Sequence, residues 1–306
     1  MEKVIEISSK TSKYLETQLG KEFSGLAWFK HVLLFCTTQE LHELLGVPLE
    51  KARSIKNWLE SNLINPFQVI RPDTFDKSAS GQPIPPVPMK SNNFNELIGG
   101  GFQGGFIYNI FGPPASGKTQ VCFQLIVDFL NHSEFKGQEV MFIDSDLTFR
   151  PERVIQVSGT PGILNKILVS KCYSSDHLLT ILKNMESMLE NGKPVPLIIF
   201  DSLLSNYFSV YVDDSLKRHV VLLEIMENLK FLARKYKSCV VFTNRVGPGI
   251  LTPAGGNILI DYSDFIISLN KPVASKDILE VRLIKSPNQP ENVKEFKITT
   301  SGIQDA

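Results

Sequence analysis

The sequence has few of the features that mark secreted, membrane or redox proteins. Its 306 residues include four cysteines, which lie far apart and form no C-x-x-C motif. We expect them to be small core residues of a protein in a reducing interior. No stretch reaches about 18 uninterrupted apolar residues, and the charged N-terminus does not resemble a signal peptide. A soluble, intracellular protein with no membrane partner is therefore expected.

The sequence also lacks an excess of charge of either sign. Lysine plus arginine and aspartate plus glutamate each number 32. No overall positive field attracts nucleic acid, so any nucleic-acid site must be a local patch. A chain of this length accommodates one large core plus a smaller domain.

The N-terminal region, residues 1–64, is predicted to be a small all-α domain. A capping box at Thr37 and Glu40 begins one helix, and the Gly46-Val47-Pro48 turn separates it from a second helix. This unit is similar to helix-hairpin-helix modules that contact the DNA backbone. A small helical bundle that serves protein contacts or only solubility is an equal alternative. Residues 65–93 contain many prolines and predict an extended linker.

The most specific motif runs from Ile110 to Thr119 and reads I-F-G-P-P-A-S-G-K-T. It satisfies the phosphate-loop pattern, in which backbone amides cradle phosphates, a lysine reaches the terminal ones and a hydroxyl ligates Mg²⁺. An apolar strand precedes it and a helical pattern follows. A Gly/Pro turn that merely contains Lys118 is the alternative. The predicted nucleotide-binding residues here are Gly112, Pro113, Pro114, Ala115, Ser116, Gly117, Lys118, Thr119 and Gln120.

Residues 94–306 alternate apolar runs with amphipathic helical patterns, which predicts a mostly parallel sheet flanked by helices. Five runs look like strands buried on both faces. They are residues 140–144, 167–170, 197–201, 239–244 and 264–269. Period-two alternation near residues 279–283 and 296–298 predicts an antiparallel edge on that sheet.

Asp201 ends the apolar run L-I-I-F-D. A buried strand that ends in an acid delivers a carboxylate to the carboxyl edge of the sheet, beside the phosphate loop. We therefore interpret Asp201 as the partner of Thr119 in Mg²⁺ coordination. The alternative is a helix N-cap aspartate.

Several segments together carry a family resemblance. They are the glycine stretch after Phe94, G-P-P-A-S-G-K-T-Q, F-I-D-S-D-L-T-F-R-P-E-R, L-I-I-F-D-S, V-V-F-T-N-R-V and A-G-G-N-I. The chain resembles the RecA/RadA recombinases of archaea and eukaryotes from Phe94 to its end, and RadB and the eukaryotic recombinase paralogs in particular. The resemblance implies a RecA-like phosphate-loop ATPase core that binds ATP and Mg²⁺.

The resemblance also implies roles for three further residues. Asp146 stands where the family places its water-activating glutamate, and Arg245 stands where it places a γ-phosphate-sensing glutamine. Both are departures, and an aspartate is one methylene shorter than a glutamate. Arg245 is expected to contact the terminal phosphate, DNA or a neighbouring subunit. Arg153 falls on the adenine-stacking arginine, with a helix-surface salt bridge to Glu152 or a neighbour as the alternative.

Two loops hold DNA in the family. The first corresponds to residues 205–219, whose aromatic and basic residues suit single-strand binding. Core aromatics plus a solvated helix start are its equal alternative. The second corresponds to residues 247–254 and carries no lysine or arginine. The family's Phe-x-x-Ala assembly plug is missing, because Phe67-Gln-Val-Ile70 and Phe75-Asp-Lys-Ser78 do not end in alanine. A homofilament is therefore doubtful, and a recombinase or paralog subunit is the expected partner.

Taken together, the sequence predicts an ATP-dependent protein of homologous recombination and DNA repair that acts on single-stranded DNA. We expect an accessory factor with slow, DNA-dependent ATP hydrolysis, in which Lys118, Asp146 and Arg245 serve catalysis. The resemblance places it in the cytoplasm or nucleoid of an archaeal cell or in a eukaryotic nucleus. A DNA-independent RecA-fold switch that regulates a partner protein is the main alternative. A small-molecule kinase is the last, because no arginine-rich lid is recognisable.

Overall fold

The computed structural model describes residues 37–63, 86–190, 194–205, 215–247, 252–272 and 277–306. These residues divide into two compact units. One unit contains 37–63 and 215–227, and the other contains the remaining described residues.

The first unit contains a helix pair at the predicted place. Helix α1 is Thr38–Leu45 and helix α2 is Leu49–Leu63. Gly46 turns the chain between them with a φ of 63°, in the left-handed region that glycine enters at little cost. Among the described side chains of this helix pair and its turn, four apolar ones are buried, namely Leu41, Val47, Ala52 and Ile55. The division of the chain at residues 64 and 93 stays a prediction.

The second unit is built on one sheet. Within the described residues its strands are β1 Ile107–Phe111, β2 Val140–Asp144, β3 Ile167–Lys171, β4 Leu197–Asp201, β5 Cys239–Asn244, β6 Phe265–Asn270, β7 Ile278–Lys285, β8 Asn292–Thr299 and β9 Gly302–Asp305. Their order is β3-β2-β4-β5-β1-β6-β7-β8-β9. Strands β1 to β6 pair in parallel, and β7, β8 and β9 add antiparallel pairs. The predicted parallel sheet with an antiparallel edge is confirmed.

Helices cover this sheet. They are α3 Asn92–Ile98, α4 Lys118–Asn131, α5 Pro151–Ser158, α6 Ser175–Glu190, α7 Ser215–Tyr236 and α8 Gly256–Tyr262, where α7 begins in the first unit. Helix α4 is buried along most of its length and packs on β4, β5 and β9. None of the helices in the described ranges is long and apolar enough to cross a bilayer.

One strand was predicted wrongly. Residues 167–170 were expected to be buried on both faces, but β3 lies at the sheet edge and pairs only with β2 in the described part of the chain. Val169 is consequently 42% exposed. An apolar run alone does not distinguish an edge strand from a central one, because strand order is set by tertiary packing.

The chain joins the second unit before residue 93. Val87 exchanges backbone hydrogen bonds with Phe102, at 2.8 and 2.9 Å, and both Val87 and Met89 are buried. Helix α3 begins at Asn92, and its N-cap Ser91 accepts a hydrogen bond from the Phe94 amide. The end of the predicted linker, residues 86–93, is therefore packed structure. The rest of that linker lies outside the described residues.

Candidate nucleotide-binding site

The phosphate loop lies between the carboxyl end of β1 and the first turn of α4. Gly112 lets the chain pass from β1 into the loop without a clash, because a Cβ there would lie 2.2 Å from the carbonyl oxygen of Leu269 and 2.6 Å from Ser116 Oγ. Gly117 precedes α4 with a φ of 92°. Both glycines of the motif are thus required by the backbone path.

The loop offers donors to an anion. The amides that open α4 have no partner within the helix, which makes the helix start favourable for phosphate. Ser116 is buried, and its hydroxyl has no hydrogen-bond partner among the described residues. Lys118 Nζ donates to the carbonyl oxygens of Gly112 and Pro113, at 2.8 and 2.9 Å. The exposed Pro114 and Ala115 form the outer turn. These groups fit the polyphosphate of a nucleotide.

Asp201 and Thr119 are brought together as the predicted metal pair requires. The Thr119 hydroxyl donates to Asp201 Oδ2 at 2.7 Å. Thr148 donates to the same oxygen at 3.1 Å, and Thr243 donates to Oδ1 at 2.5 Å. Carboxylate and hydroxyl oxygens are suitable ligands for Mg²⁺, directly or through its waters. The metal role itself stays a prediction.

Burial dominates the electrostatics of Asp201. The side chain is almost completely buried, and desolvation raises its pKa. Hydrogen bonds from three hydroxyls oppose that rise but do not cancel it, and the nearby Asp146 charge adds to it. A divalent cation bound beside this carboxylate would stabilise its charged form.

Lys118 responds to the same surroundings in the opposite direction. Burial lowers its pKa, while the charges of Asp201 and Asp146 raise it. The charge of Arg245 lowers it further. Charges of both signs thus act on the phosphate-loop lysine.

The two acids after β2 serve different purposes. Asp144 is buried, and its carboxylate accepts hydrogen bonds from the amides of Thr148 and Phe149, at 2.9 and 3.1 Å, so it stabilises the turn. Asp146 is exposed, and the Ser205 hydroxyl donates to it. Asp144 therefore serves the backbone after β2, whereas Asp146 faces the solvent side of the site.

Arg153 lies at the other end of the site and makes a dense set of contacts. Its guanidinium donates to Gln120 Oε1 at 2.7 Å and to the carbonyl oxygens of Thr299 and Thr300, both at 2.7 Å. These contacts join α4, α5 and the turn between β8 and β9. The alternative of a salt bridge with Glu152 is not seen among the described residues. Adenine stacking stays a prediction.

Arg245 follows β5 directly and is exposed. It precedes the predicted second DNA loop, residues 247–254, of which residues 248–251 lie outside the described part. Most of the first predicted loop also lies outside it, including Tyr207, Phe208 and Tyr211. Lys217, Arg218 and His219 are in the first turns of α7.

Three hydroxyl residues of this site were missed by sequence reasoning. They are Thr148, Thr243 and Ser205, each of which contacts Asp201 or Asp146. The available signal was a hydroxyl residue within a few residues of a strand end that lies near an acidic residue. This signal can be used only when the strand order is known, because Thr243 is on β5 and Asp201 is on β4.

The parallel sheet, the phosphate loop and the paired Thr119 and Asp201 define a RecA-like phosphate-loop ATPase core. The Rad51 family model matches residues 86–306, well over half of the chain. The chain belongs to the Rad51 family. Proteins of this family act in recombination and repair, bind ATP with Mg²⁺, and bind DNA and other recombinase subunits.

Proposed function

We propose that this chain is an accessory recombination protein, of the RadB or recombinase-paralog kind, that binds single-stranded DNA under the control of ATP. The observation that supports control by ATP is the 2.7 Å contact between Thr119 and Asp201 at the phosphate loop. The same loop presents Lys118 and an unpartnered buried hydroxyl. A protein with this role would act in the nucleoid or the nucleus.

The environment of Asp146 supports slow hydrolysis. As a general base, Asp146 would take a proton from the attacking water, and it is one methylene shorter than the family's glutamate. A displacement of about 1 Å can reduce a rate by roughly a hundredfold. One carboxylate oxygen also accepts a hydrogen bond from the Ser205 hydroxyl, which occupies a position where it would otherwise contact water. Both features favour a nucleotide-controlled switch over a fast ATPase.

A groove at the sheet edge supports a role as a subunit of a mixed assembly. Apolar side chains from β2, β3 and α6 line a cavity of about 350 Å³, among them Met141, Ile143, Ile181, Met185 and Met188. Strand β3 beside it has a free edge in the described part of the chain. An extended segment can pair with such an edge while an apolar side chain enters the groove. We propose that a recombinase subunit supplies this segment, since this chain's own linker lacks the Phe-x-x-Ala motif.

The test is a titration of fluorescent single-stranded DNA with and without Mg-ATP at two salt concentrations. We expect tighter binding with ATP and a dependence on salt, because each phosphate contact contributes about 0.7 to the slope of log K against log salt. Replacement of Tyr207 and Lys217 by alanine should weaken binding and reduce that slope. Sedimentation of the same samples should show no long homofilament.

The contrary results are distinct. DNA binding that is absent, or that ignores ATP, would contradict the proposal and favour a DNA-independent switch that regulates a partner protein. Long filaments of the chain alone would contradict the accessory role. If the slope of log K against log salt is unchanged in the double variant, DNA does not bind at residues 205–219.

A further inference from the structure

Leu147 has an unusual backbone conformation at the centre of the candidate site. It lies between Asp146 and Thr148, and its φ is 56°, in the left-handed region. A residue with a Cβ avoids this region, which lowers the population of the conformation by about fivefold to thirtyfold. The Leu147 side chain is 50% exposed, so its own packing compensates for little of that cost. Contacts of the neighbouring residues must therefore hold the conformation.

The residues before Leu147 are attached to the end of β4. The amides of Ser145 and Asp146 donate to the carbonyl oxygen of Asp201, at 3.0 and 3.4 Å. Asp146 is also held through its side chain, which accepts a hydrogen bond from the Ser205 hydroxyl. The chain thus enters Leu147 from a fixed direction.

The residues after Leu147 are attached to the end of β2. The amides of Thr148 and Phe149 donate to the two oxygens of the Asp144 carboxylate, at 2.9 and 3.1 Å. Asp144 is itself the last residue of β2. A turn that is bonded on both sides of one residue restricts the φ of that residue, and the strain at Leu147 is the result.

One further contact joins this turn to the candidate metal site. The Thr148 hydroxyl donates to Asp201 Oδ2 at 3.1 Å. The Thr119 hydroxyl donates to the same oxygen at 2.7 Å, and Thr243 donates to Oδ1 at 2.5 Å. The Thr148 contact is the longest of the three and hence the weakest. A carboxylate oxygen has two lone pairs, and the hydroxyls of Thr119 and Thr148 use both lone pairs of Oδ2.

Binding of Mg²⁺ at this site requires one of those lone pairs. Oδ2 is the oxygen that contacts Thr119, the other predicted ligand, so we expect the ion or one of its waters at Oδ2. Either contact displaces one hydroxyl from that oxygen. Thr119 stays because it is itself a predicted ligand. Thr148 is therefore the hydroxyl that leaves Asp201.

We propose that Leu147 is a positioning residue that is strained in the free chain and relaxes when Asp201 takes part in binding Mg-ATP. The inference rests on the proposed nucleotide function. Loss of the Thr148 hydroxyl contact loosens the turn, and the backbone of Leu147 then leaves the left-handed region. The relief of strain adds to the affinity for Mg-ATP. A glycine at this position would have no such strain to release.

The main experiment compares Leu147→Gly with Leu147→Ala in the full chain. Both variants remove the leucine side chain, but only glycine removes the cost of the left-handed backbone. The affinity for Mg-ATP is measured by displacement of a fluorescent nucleotide. We expect Leu147→Ala to match the unmodified chain and Leu147→Gly to bind Mg-ATP about fivefold to thirtyfold more weakly. In Thr148→Val, which lacks the hydroxyl, a further Leu147→Gly change should leave the affinity unchanged.

The free chain provides a readout that requires neither nucleotide nor metal. Leu147→Gly should melt at a higher temperature than Leu147→Ala, because alanine keeps the strain and glycine does not. In the unmodified chain, the backbone chemical shifts of Leu147 depend on φ. They should leave their left-handed values when Mg-ATP is added.

The contrary results can be told apart. Equal affinity for Mg-ATP in Leu147→Gly and Leu147→Ala would overturn the inference, and so would a Leu147→Ala variant that melts at the same temperature as Leu147→Gly or higher. Chemical shifts of Leu147 that keep their left-handed values with Mg-ATP bound would also overturn it. If the unmodified chain does not bind Mg-ATP, the proposed function fails together with this inference, even where the two melting temperatures differ as expected.

Discussion

The two halves of the candidate site differ in burial and in the number of their contacts. The buried half consists of Thr119, Asp201 and Thr243, and its carboxylate accepts hydrogen bonds from three hydroxyls. The exposed half consists of Asp146 and Arg245, with one hydrogen bond to the first side chain and none to the second in the described structure. We expect the buried half to hold phosphate and metal. We expect the exposed half to determine whether hydrolysis follows.

The largest effect that tests this division should come from Lys118→Ala. The change removes the cation that meets the phosphates and leaves Asp201 and Asp146 without their nearby positive charge. We expect a loss of Mg-ATP affinity of about a hundredfold or more, measured by displacement of a fluorescent nucleotide. Lys136→Ala, which removes an exposed lysine, should leave the affinity unchanged. Retained affinity in Lys118→Ala would show that the phosphate loop beside the buried half does not hold the nucleotide.

Much of the buried half could be predicted from the sequence. In a parallel sheet every strand delivers its last residue to one edge, so Asp144 and Asp201 could be placed there without coordinates. Lys118 and Thr119 follow from the loop pattern, because the helix begins within the pattern, at Lys118. These predictions depend on local order along the chain, which the sequence contains.

The remaining features depend on which strands are neighbours. Thr243 reaches Asp201 because β5 lies beside β4, and β3 is half-exposed because it is at the edge. Strand β9 was not predicted, although Gln124 on α4 accepts a hydrogen bond from Ile303 at 2.9 Å and holds it in place. Such contacts join residues that are far apart in sequence, and no local pattern announces them.

An intermediate effect should come from the exposed half. Asp146→Glu moves the carboxylate outward by one methylene, towards the position expected of the general base. We expect ATP turnover in the presence of single-stranded DNA to increase by about tenfold or more. Asp146→Asn, which cannot accept the proton, should lower it. A decrease in Asp146→Glu would show that this position does not activate water.

The smallest effect concerns the stability of the buried half without nucleotide. Because burial raises the pKa of Asp201, its charged form destabilises the fold relative to its neutral form. The stability that the neutral carboxyl provides is fully present below the pKa that Asp201 has in the unfolded chain. It is lost as the pH rises through the pKa that Asp201 has in the folded chain. Asp201→Asn removes the charge at every pH. We therefore expect its melting temperature to exceed that of the unmodified chain by a few degrees at pH 8, with the difference disappearing at acidic pH.

Addition of Mg-ATP should reverse the order of the two melting temperatures at pH 8. A ligand that binds only the folded state raises the melting temperature, and the unmodified chain should gain more because its carboxylate attracts the metal. Asp277→Asn, a matched change at an exposed carboxylate, should follow the unmodified chain in both conditions. If Asp201→Asn gains as much from Mg-ATP as the unmodified chain, Asp201 does not contribute to metal binding. The three hydroxyls around it would then stabilise the meeting point of β2, β4 and β5 instead.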